Sequence, residues 1–185
     1  MTKMNLSAPL PFVGQKRMFA KEFIKVLDQF PDDTVFVDLF GGSGLLSHIT
    51  KRMKPTSTVV YNDFDNYRFR LAHIPHTNKL LADIRTLVGD SVPKHKAIKG
   101  KLRECVLKRI EEEEASVGYV DFITLSSSLM FSMKYKLSVE EMSKEVLYNN
   151  IRKNGYPESL DYLEGLEIVS CDYKEVYNQY KDVPG

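Results

Sequence analysis

Three glycines and an acid share the stretch Asp38-Leu39-Phe40-Gly41-Gly42-Ser43-Gly44. Glycines at a strand-to-helix turn let the backbone come close to a ligand, because no Cβ stands in the way. Two cofactor classes use such a turn. In the dinucleotide fingerprint the glycines receive a pyrophosphate. Here Gly42-x-Gly44-x-x-Ser47 fits that pattern loosely, and Asp63 falls near the place of a ribose-binding acid. Asp38, however, ends the preceding strand. A carboxylate there repels a pyrophosphate but pairs with the ammonium of an amino-acid-bearing cofactor. S-adenosylmethionine carries that ammonium, and its ribose hydroxyls suit an acid at Asp63. The chemistry favours the methyl donor over the dinucleotide; a tight turn without a ligand is the plain alternative.

The elements that must position these residues follow from hydrophobic spacing. Lys16 to Phe30 is helical in pattern and closed by Pro31. Thr34 to Asp38 reads as a buried strand entering the glycine turn. A helix resumes over Leu45 to Met53 and ends before Pro55, and Thr58 to Tyr61 is a second strand that runs into Asn62-Asp63-Phe64-Asp65. Strand, glycine turn, helix, strand and acid make one βαβ unit. From Tyr67 to about Leu160 the pattern is mostly helical. Ser159 to Glu164 reads as the tail of a helix, Gly165 as its cap, Leu166 to Ser170 as a third strand and Lys174 to Tyr180 as a last helix, with a loop at Asp182 to Gly185. The expected fold class is α/β, a Rossmann-like, partial doubly wound sheet interrupted by a mostly helical insert. Residues 1–66 and 160–185 form the core, and residues 67–159 form the insert.

Composition narrows the class further. The 185 residues are 43% hydrophobic and 28% charged, with a net charge of +1, which excludes a wholly basic nucleic-acid coat. Charge is nevertheless uneven: Lys94, His95, Lys96, Lys99, Lys101 and Arg103 precede Glu111 to Glu114. A solvated helix with opposite charges at its ends is the bland account, and a phosphate-tracking stripe is the functional one. Cys105 and Cys171 are far apart and imply neither a disulfide nor, with any neighbouring cluster, a metal site. No apolar run reaches the length of a membrane span, and Met1 to Asn5 lacks a signal layout, so a cytoplasmic protein is expected.

Four segments, in order, resemble a known family. Pro11-Phe12-Val13-Gly14-Gln15-Lys16 is similar to the N-terminal aromatic-x-Gly-x-Lys motif of the Dam-type (D12 class) DNA adenine-N6 methyltransferases. Val37 to Gly44 resembles their cofactor motif, Tyr61 to Asp65 their acidic motif, and Glu167 to Tyr173 a later strand ending in Asp-aromatic. The resemblance implies a methyltransferase fold interrupted by a target-recognition domain. It implies cofactor contacts from Phe12, Gly14, Asp38, Phe40, Gly42 and Gly44, ribose binding by Asp63 and adenine packing by Phe64. Lys16 and Asp172 would be the catalytic-site residues, Lys16 reaching toward the methionine or the target base and Asp172 lying at the active-site mouth. Asp172 as a helix cap is the equal alternative.

Double-stranded DNA is the implied partner, in a phage or restriction-modification setting, with Lys94, Lys96, Lys99 and Lys101 on phosphates. Ser127 and Lys134, in Thr124 to Tyr135, would approach the flipped base. That stretch also reads as a core helix with Leu125, Leu129, Phe131 and Met133 inside, and Tyr148 to Tyr156 is a second candidate DNA-facing loop. Two departures, Gln15 and Leu39, fall at backbone-contributing positions. One absence is larger. The family's Asp-Pro-Pro-Tyr tetrapeptide does not occur in these residues. The sequence reading is therefore of an enzyme truncated before its catalytic motif and inactive alone, with an unpaired sheet edge inviting self-association or a cleaved C-terminal piece. A non-catalytic DNA- or cofactor-binding remnant and a nicotinamide-dependent oxidoreductase are the rival functions.

Overall fold

Short runs of β-branched and aromatic residues on either side of the glycine turn form strands. The computed structural model describes residues 4–14, 16–131 and 135–183. Among them, β1 (Phe36–Asp38) pairs with β2 (Val59–Asn62) in parallel, Phe36 opposite Val59 and Asp38 opposite Tyr61. Helix α1 (Ala20–Leu27) precedes β1, and α2 (Leu45–Met53) crosses between the two strands. The chain separates into two compact units, residues 1–72 with 159–185 and residues 73–158.

In the first unit the outer strand of the sheet comes from late in the chain. Strand β5 (Glu167–Val169) pairs in parallel with β2, giving the order β1-β2-β5. All four residues of β2 are buried, as the central strand of a parallel sheet must be. Ala20 and Leu27 of α1 pack on Leu45 and Ile49 of α2, with Phe23, Ile24, Phe36 and Met53 around them. Burying each such leucine or isoleucine side chain stabilises by roughly 1.5–3 kcal/mol. Short α3 (Tyr67–Ala72) follows β2, and α8 (Tyr173–Tyr180) follows β5.

Two expected helices differ. The stretch from Lys16 begins as a 3-10 turn, Lys16–Phe19, and α1 stops at Leu27. The Gln29 N–H closes a tighter bond to Val26 O at 3.1 Å, well before Pro31, whose ring disfavours helix in the residue ahead of it. Ser159 to Glu164 is a run of turns, Tyr162 N–H bonding to Ser159 O and Glu164 N–H to Asp161 O, both at 3.1 Å. These three-residue spacings leave no α-helical ladder.

The second unit is built on α4 (Ile74–Val88) and α5 (Gly100–Val117), with α6 (Phe122–Leu129) and α7 (Val139–Ser143). Asp121 caps α6 by accepting from Thr124 N at 3.1 Å, and Ser138 caps α7 by accepting from Glu141 N at 3.1 Å. Arg109 of α5 reaches Asp83 of α4 at 2.8 Å and Glu113 at 2.6 Å, and its guanidinium holds the Asp83 carboxyl below the usual range. The sequence reading contains no strand here. The structure has an antiparallel pair, β3 (Ala97–Ile98) with β4 (Leu147–Tyr148), too short to leave a period-two signal.

Candidate cofactor site

Tyr61 sits under the glycine turn and explains its composition. A Cβ on Gly41 would lie 2.2 Å from the Tyr61 ring, and one on Gly44 would lie 2.8 Å from Leu163. Gly42 and Gly44 also take φ of 52° and 66°, a region that side chains resist. Tyr61 Oη lies 2.7 Å from Gly42 O and 3.0 Å from Asp63 Oδ1, so its one proton serves either acceptor. Burial, reinforced by the Asp63 charge, pushes the Tyr61 hydroxyl far up and keeps it protonated.

Over this turn opens a cavity of about 350 Å³, within the roughly 300–1,000 Å³ of small-molecule sites. Its lining includes Phe12, Gly14, Lys16, Phe40, Gly42 and Phe64. Phe40 and Phe64 are 65% and 67% exposed, so large rings face the opening rather than the core. The Phe40 ring is tilted against that of Tyr173 at 5.0 Å between centroids. A Cβ on Gly42 would stand 2.9 Å from the Phe12 ring, so this glycine lets the N-terminal segment close over the turn. Gly14 takes φ of 71° at the rim, and Gln15 lies outside the described residues. The α2 N-terminus, capped by Gly44 without a side-chain bond, borders the cavity through Ser43 and Leu45.

The charged candidates are placed unevenly. Lys16 Nζ donates to Phe40 O at 2.9 Å and lies 3.8 Å from Asp38 Oδ1. Asp38 Oδ2 accepts from Ser47 Oγ at 2.8 Å, which fixes the carboxylate behind the lysine. Asp172 Oδ1 accepts from Lys174 N at 2.8 Å as the α8 cap, and the residue also borders the cavity. Asp63, expected at the ribose, is 3% exposed and absent from the cavity lining. Its carboxylate instead accepts from Tyr67 N at 2.5 Å and Arg68 N at 3.0 Å, holding the first turn of α3.

Two positioning residues escaped the sequence reading. Asn62 Nδ2 donates to Leu39 O at 3.2 Å and to Cys171 O at 2.9 Å, and Asn62 Oδ1 accepts from Cys171 N at 3.2 Å. One buried amide thus ties together the ends of all three strands where the cavity opens. His48, 1% exposed, accepts from Asn5 N through Nε2 at 3.0 Å and lies with Nδ1 2.7 Å from Tyr162 O. A backbone N–H only donates and a carbonyl only accepts, so the neutral ring carries its hydrogen on Nδ1. Burial holds the His48 pKa below its ordinary value. Tyr67 Oη bonds to both N and O of Leu10, at 3.0 and 3.3 Å, and carries the same N-terminal segment toward Phe12. A buried histidine within a helix and a lone asparagine carry no motif signal, so only the fold identifies them.

In the second unit Lys94, Lys96, Lys99 and Lys101 are all exposed, along the approach to α5 and its first turn. Asn149 fastens that approach, its N–H donating to Lys96 O at 2.9 Å and its side chain to Val92 O at 2.7 Å. Helix α6 buries Leu125 and Leu129, and Ser127 is half-buried on it. Phe131 is 58% exposed and packs against Tyr148 at 4.5 Å between ring centroids, rather than entering the core as the core-helix account required. Met133 and Lys134 lie outside the described residues. Among the described residues no group of three or more His, Cys, Asp or Glu is placed to hold a metal, and no helix is long and apolar enough to cross a membrane.

Comparison with known proteins accords with this arrangement. A Haemophilus influenzae protein named "Putative methyltransferase" is 38% identical over 179 residues, covering 95% of this chain and 60% of that protein. The chain therefore spans about three fifths of the length of that curated relative. No solved structure matches it. The family model of D12 class N6 adenine-specific DNA methyltransferases matches residues 12–145, across the N-terminal motif, the glycine turn, the acidic turn and most of the second unit, and the chain belongs to that family.

Proposed function

We propose that these residues form the donor-holding and DNA-contacting part of an S-adenosylmethionine-dependent enzyme that methylates adenine N6 in DNA. The observation that carries this is the cavity over Gly41 to Gly44, walled by Phe12, Phe40, Phe64 and Tyr173. Its residues fit the cofactor, with aromatic faces for a purine and a glycine floor closed by Phe12; Asp38, at the end of β1, lies outside this lining, behind Lys16. Phe12, Gly14, Phe40, Gly42, Gly44 and Phe64 would hold it. Asp38 would receive the ammonium as Lys16 moves aside, and the uncapped start of α2 suits the carboxylate. The bound cofactor supplies an electrophilic methyl group on sulfur.

Lys16 and Asp172 stand at the rim, where an extruded adenine would enter. Extrusion costs a few kcal/mol, because a stacked base cannot present its amine to the sulfonium. Positioning then dominates the rate, since the displacement needs amine, methyl and sulfur in line. The exposed lysines 94, 96, 99 and 101 suit phosphates, which orient the duplex without reading its sequence. Lys99 and Lys101 lie at the positive end of the α5 dipole, an arrangement that is costly for a helix and favourable for an anion. Ser127, and Lys134 outside the described residues, remain proposed base-side contacts.

The 185 residues contain no Asp-Pro-Pro-Tyr, whose side chain, carbonyl and ring would hold the adenine amine. The chain alone is therefore expected to bind donor and DNA without transferring the methyl. Titration calorimetry with S-adenosylhomocysteine and with NAD is the test. Binding of the former alone is expected, whereas binding of NAD alone would sink the assignment. Methyl transfer to DNA by the chain alone would refute the division of labour.

A further inference from the structure

Residues 5–14 run as a strap over the first unit and end on the cavity, where Phe12, Val13 and Gly14 line the wall. Three side chains hold the strap from beneath. His48 Nε2 accepts from Asn5 N at 3.0 Å, Tyr67 Oη bonds to N and O of Leu10 at 3.0 and 3.3 Å, and Arg70 Nη2 donates to Pro11 O at 2.8 Å. The rings involved touch in a row. His48 stacks on Tyr162 with centroids 4.4 Å apart, Tyr162 meets Tyr67 edge-on at 6.4 Å, and Tyr67 meets Phe12 edge-on at 5.7 Å. The row leads from α2 to the ring that closes over Gly42. His48 is also joined to the glycine turn, its own N–H donating to Gly44 O at 2.8 Å.

We propose that this strap is a pH-sensitive closure, held down while His48 is neutral. Protonation of His48 releases the Asn5 end and loosens Phe12 over the cavity, so the cofactor is held less tightly in acid; this last step rests on the S-adenosylmethionine reading of the cavity. Among the described residues the ring's hydrogen-bond partners are Asn5 N–H and Tyr162 O. With one proton committed to Tyr162 O, a second at Nε2 meets an amide that can only donate. That proton needs a new acceptor, and in so buried a place the acceptor is water admitted under the strap. The groups facing the ring do not supply one. Arg52, on the same helix, repels the charge; it donates to Asp161 O at 2.7 Å and lies 3.9 Å from Glu164. Asp161 attracts the charge but is not among the ring's hydrogen-bond partners. Tyr162, kept protonated by burial, brings no charge, and Tyr67 stands behind it.

Hydrogen exchange read by mass spectrometry, with rates corrected for the intrinsic effect of pH, tests the closure on the whole chain. From about pH 7.5 to about pH 5, a range that spans the ordinary histidine value, the amides of residues 5–14 should lose protection about five-fold or more, while those of β2 keep theirs. Calorimetry should show S-adenosylhomocysteine binding about five-fold or more weakly at the lower pH, the small end of couplings between sites. His48→Gln keeps an acceptor for Asn5 N–H that does not titrate, so it should hold strap and ligand equally at both. Unchanged strap protection in the wild type would overturn the proposal whether or not the variant folds, as would an equal loss in His48→Gln. Loss of protection by the strap and β2 together would mean unfolding rather than a closure, and would overturn it too. A loosened strap with unchanged ligand affinity would overturn the link to the cavity. A wild type that binds no S-adenosylhomocysteine at about pH 7.5 would instead overturn the cofactor reading, and the retention step with it.

Discussion

His48 is the residue whose ionisation should be felt most. It is buried, neutral, and bonded on both ring nitrogens. Protonating Nε2 would turn the acceptor for Asn5 N–H into a second donor facing it. Of the neighbouring charges Arg52 opposes that proton and Asp161 favours it, but desolvation outweighs both. A histidine with a depressed folded pKa stabilises above its unfolded value, about 6.5, and that stabilisation is lost as pH falls through the folded value. Urea midpoints should thus drop as pH is lowered from about 7 through 6.5 and below. His48→Asn should be weaker at neutral pH and flatter across that window; an equally steep fall in the variant would refute this. Asp63 shows the limit of sequence at this scale. Its spacing after β2 matched a ligand position, but spacing does not say which way a carboxylate turns. Here it turns to the amides of Tyr67 and Arg68 at the start of α3.

Among elements, α5 is built against its own dipole. Lys99 caps it, Lys101 lies in its first turn, and no basic residue occupies its last turn. Favourable placement of charge at a helix end contributes about 0.3–1 kcal/mol, so the reverse placement costs a similar amount. Replacing Lys99 and Lys101 together by Glu should raise the melting temperature while weakening duplex DNA binding and flattening its salt dependence. Lower stability together with unchanged DNA affinity would return this stripe to an ordinary solvated surface. The βαβ unit was legible because glycine, proline and β-branched runs are strong local signals: β1, α2 and β2 lie within two residues of their expected bounds. Ser159 to Glu164 was not. Its apolar residues Tyr162 and Leu163 are buried by turns, which mimic a helical pattern over so few residues.

For the whole molecule, the exposed flank of the sheet has the largest consequence. Among the described residues β1 pairs only with β2, so its other edge offers unused backbone donors and acceptors. Beside it lies a hollow of about 590 Å³ lined by Val26, Phe30, Val35 and Val37 among others, with Val26 47% and Phe30 44% exposed. The chain alone is expected to associate through this flank, unless a further segment of the protein is present to pair with it. Sedimentation should show mass rising with concentration, and Val26→Lys should reduce it. A wild type that is monomeric at all concentrations would contradict the prediction.

The strand order also sets a clock on synthesis. The partner of β2 on its far side is β5, which the ribosome makes roughly a hundred residues later. At about 5–20 residues per second, β2 waits on the order of 5–20 s with that edge open. Closing so long a loop costs only slowly more entropy as it lengthens. The hazard is therefore one of timing rather than of equilibrium: the nascent chain carries an apolar, hydrogen-bond-hungry strand through the whole interval in which its second unit is being made.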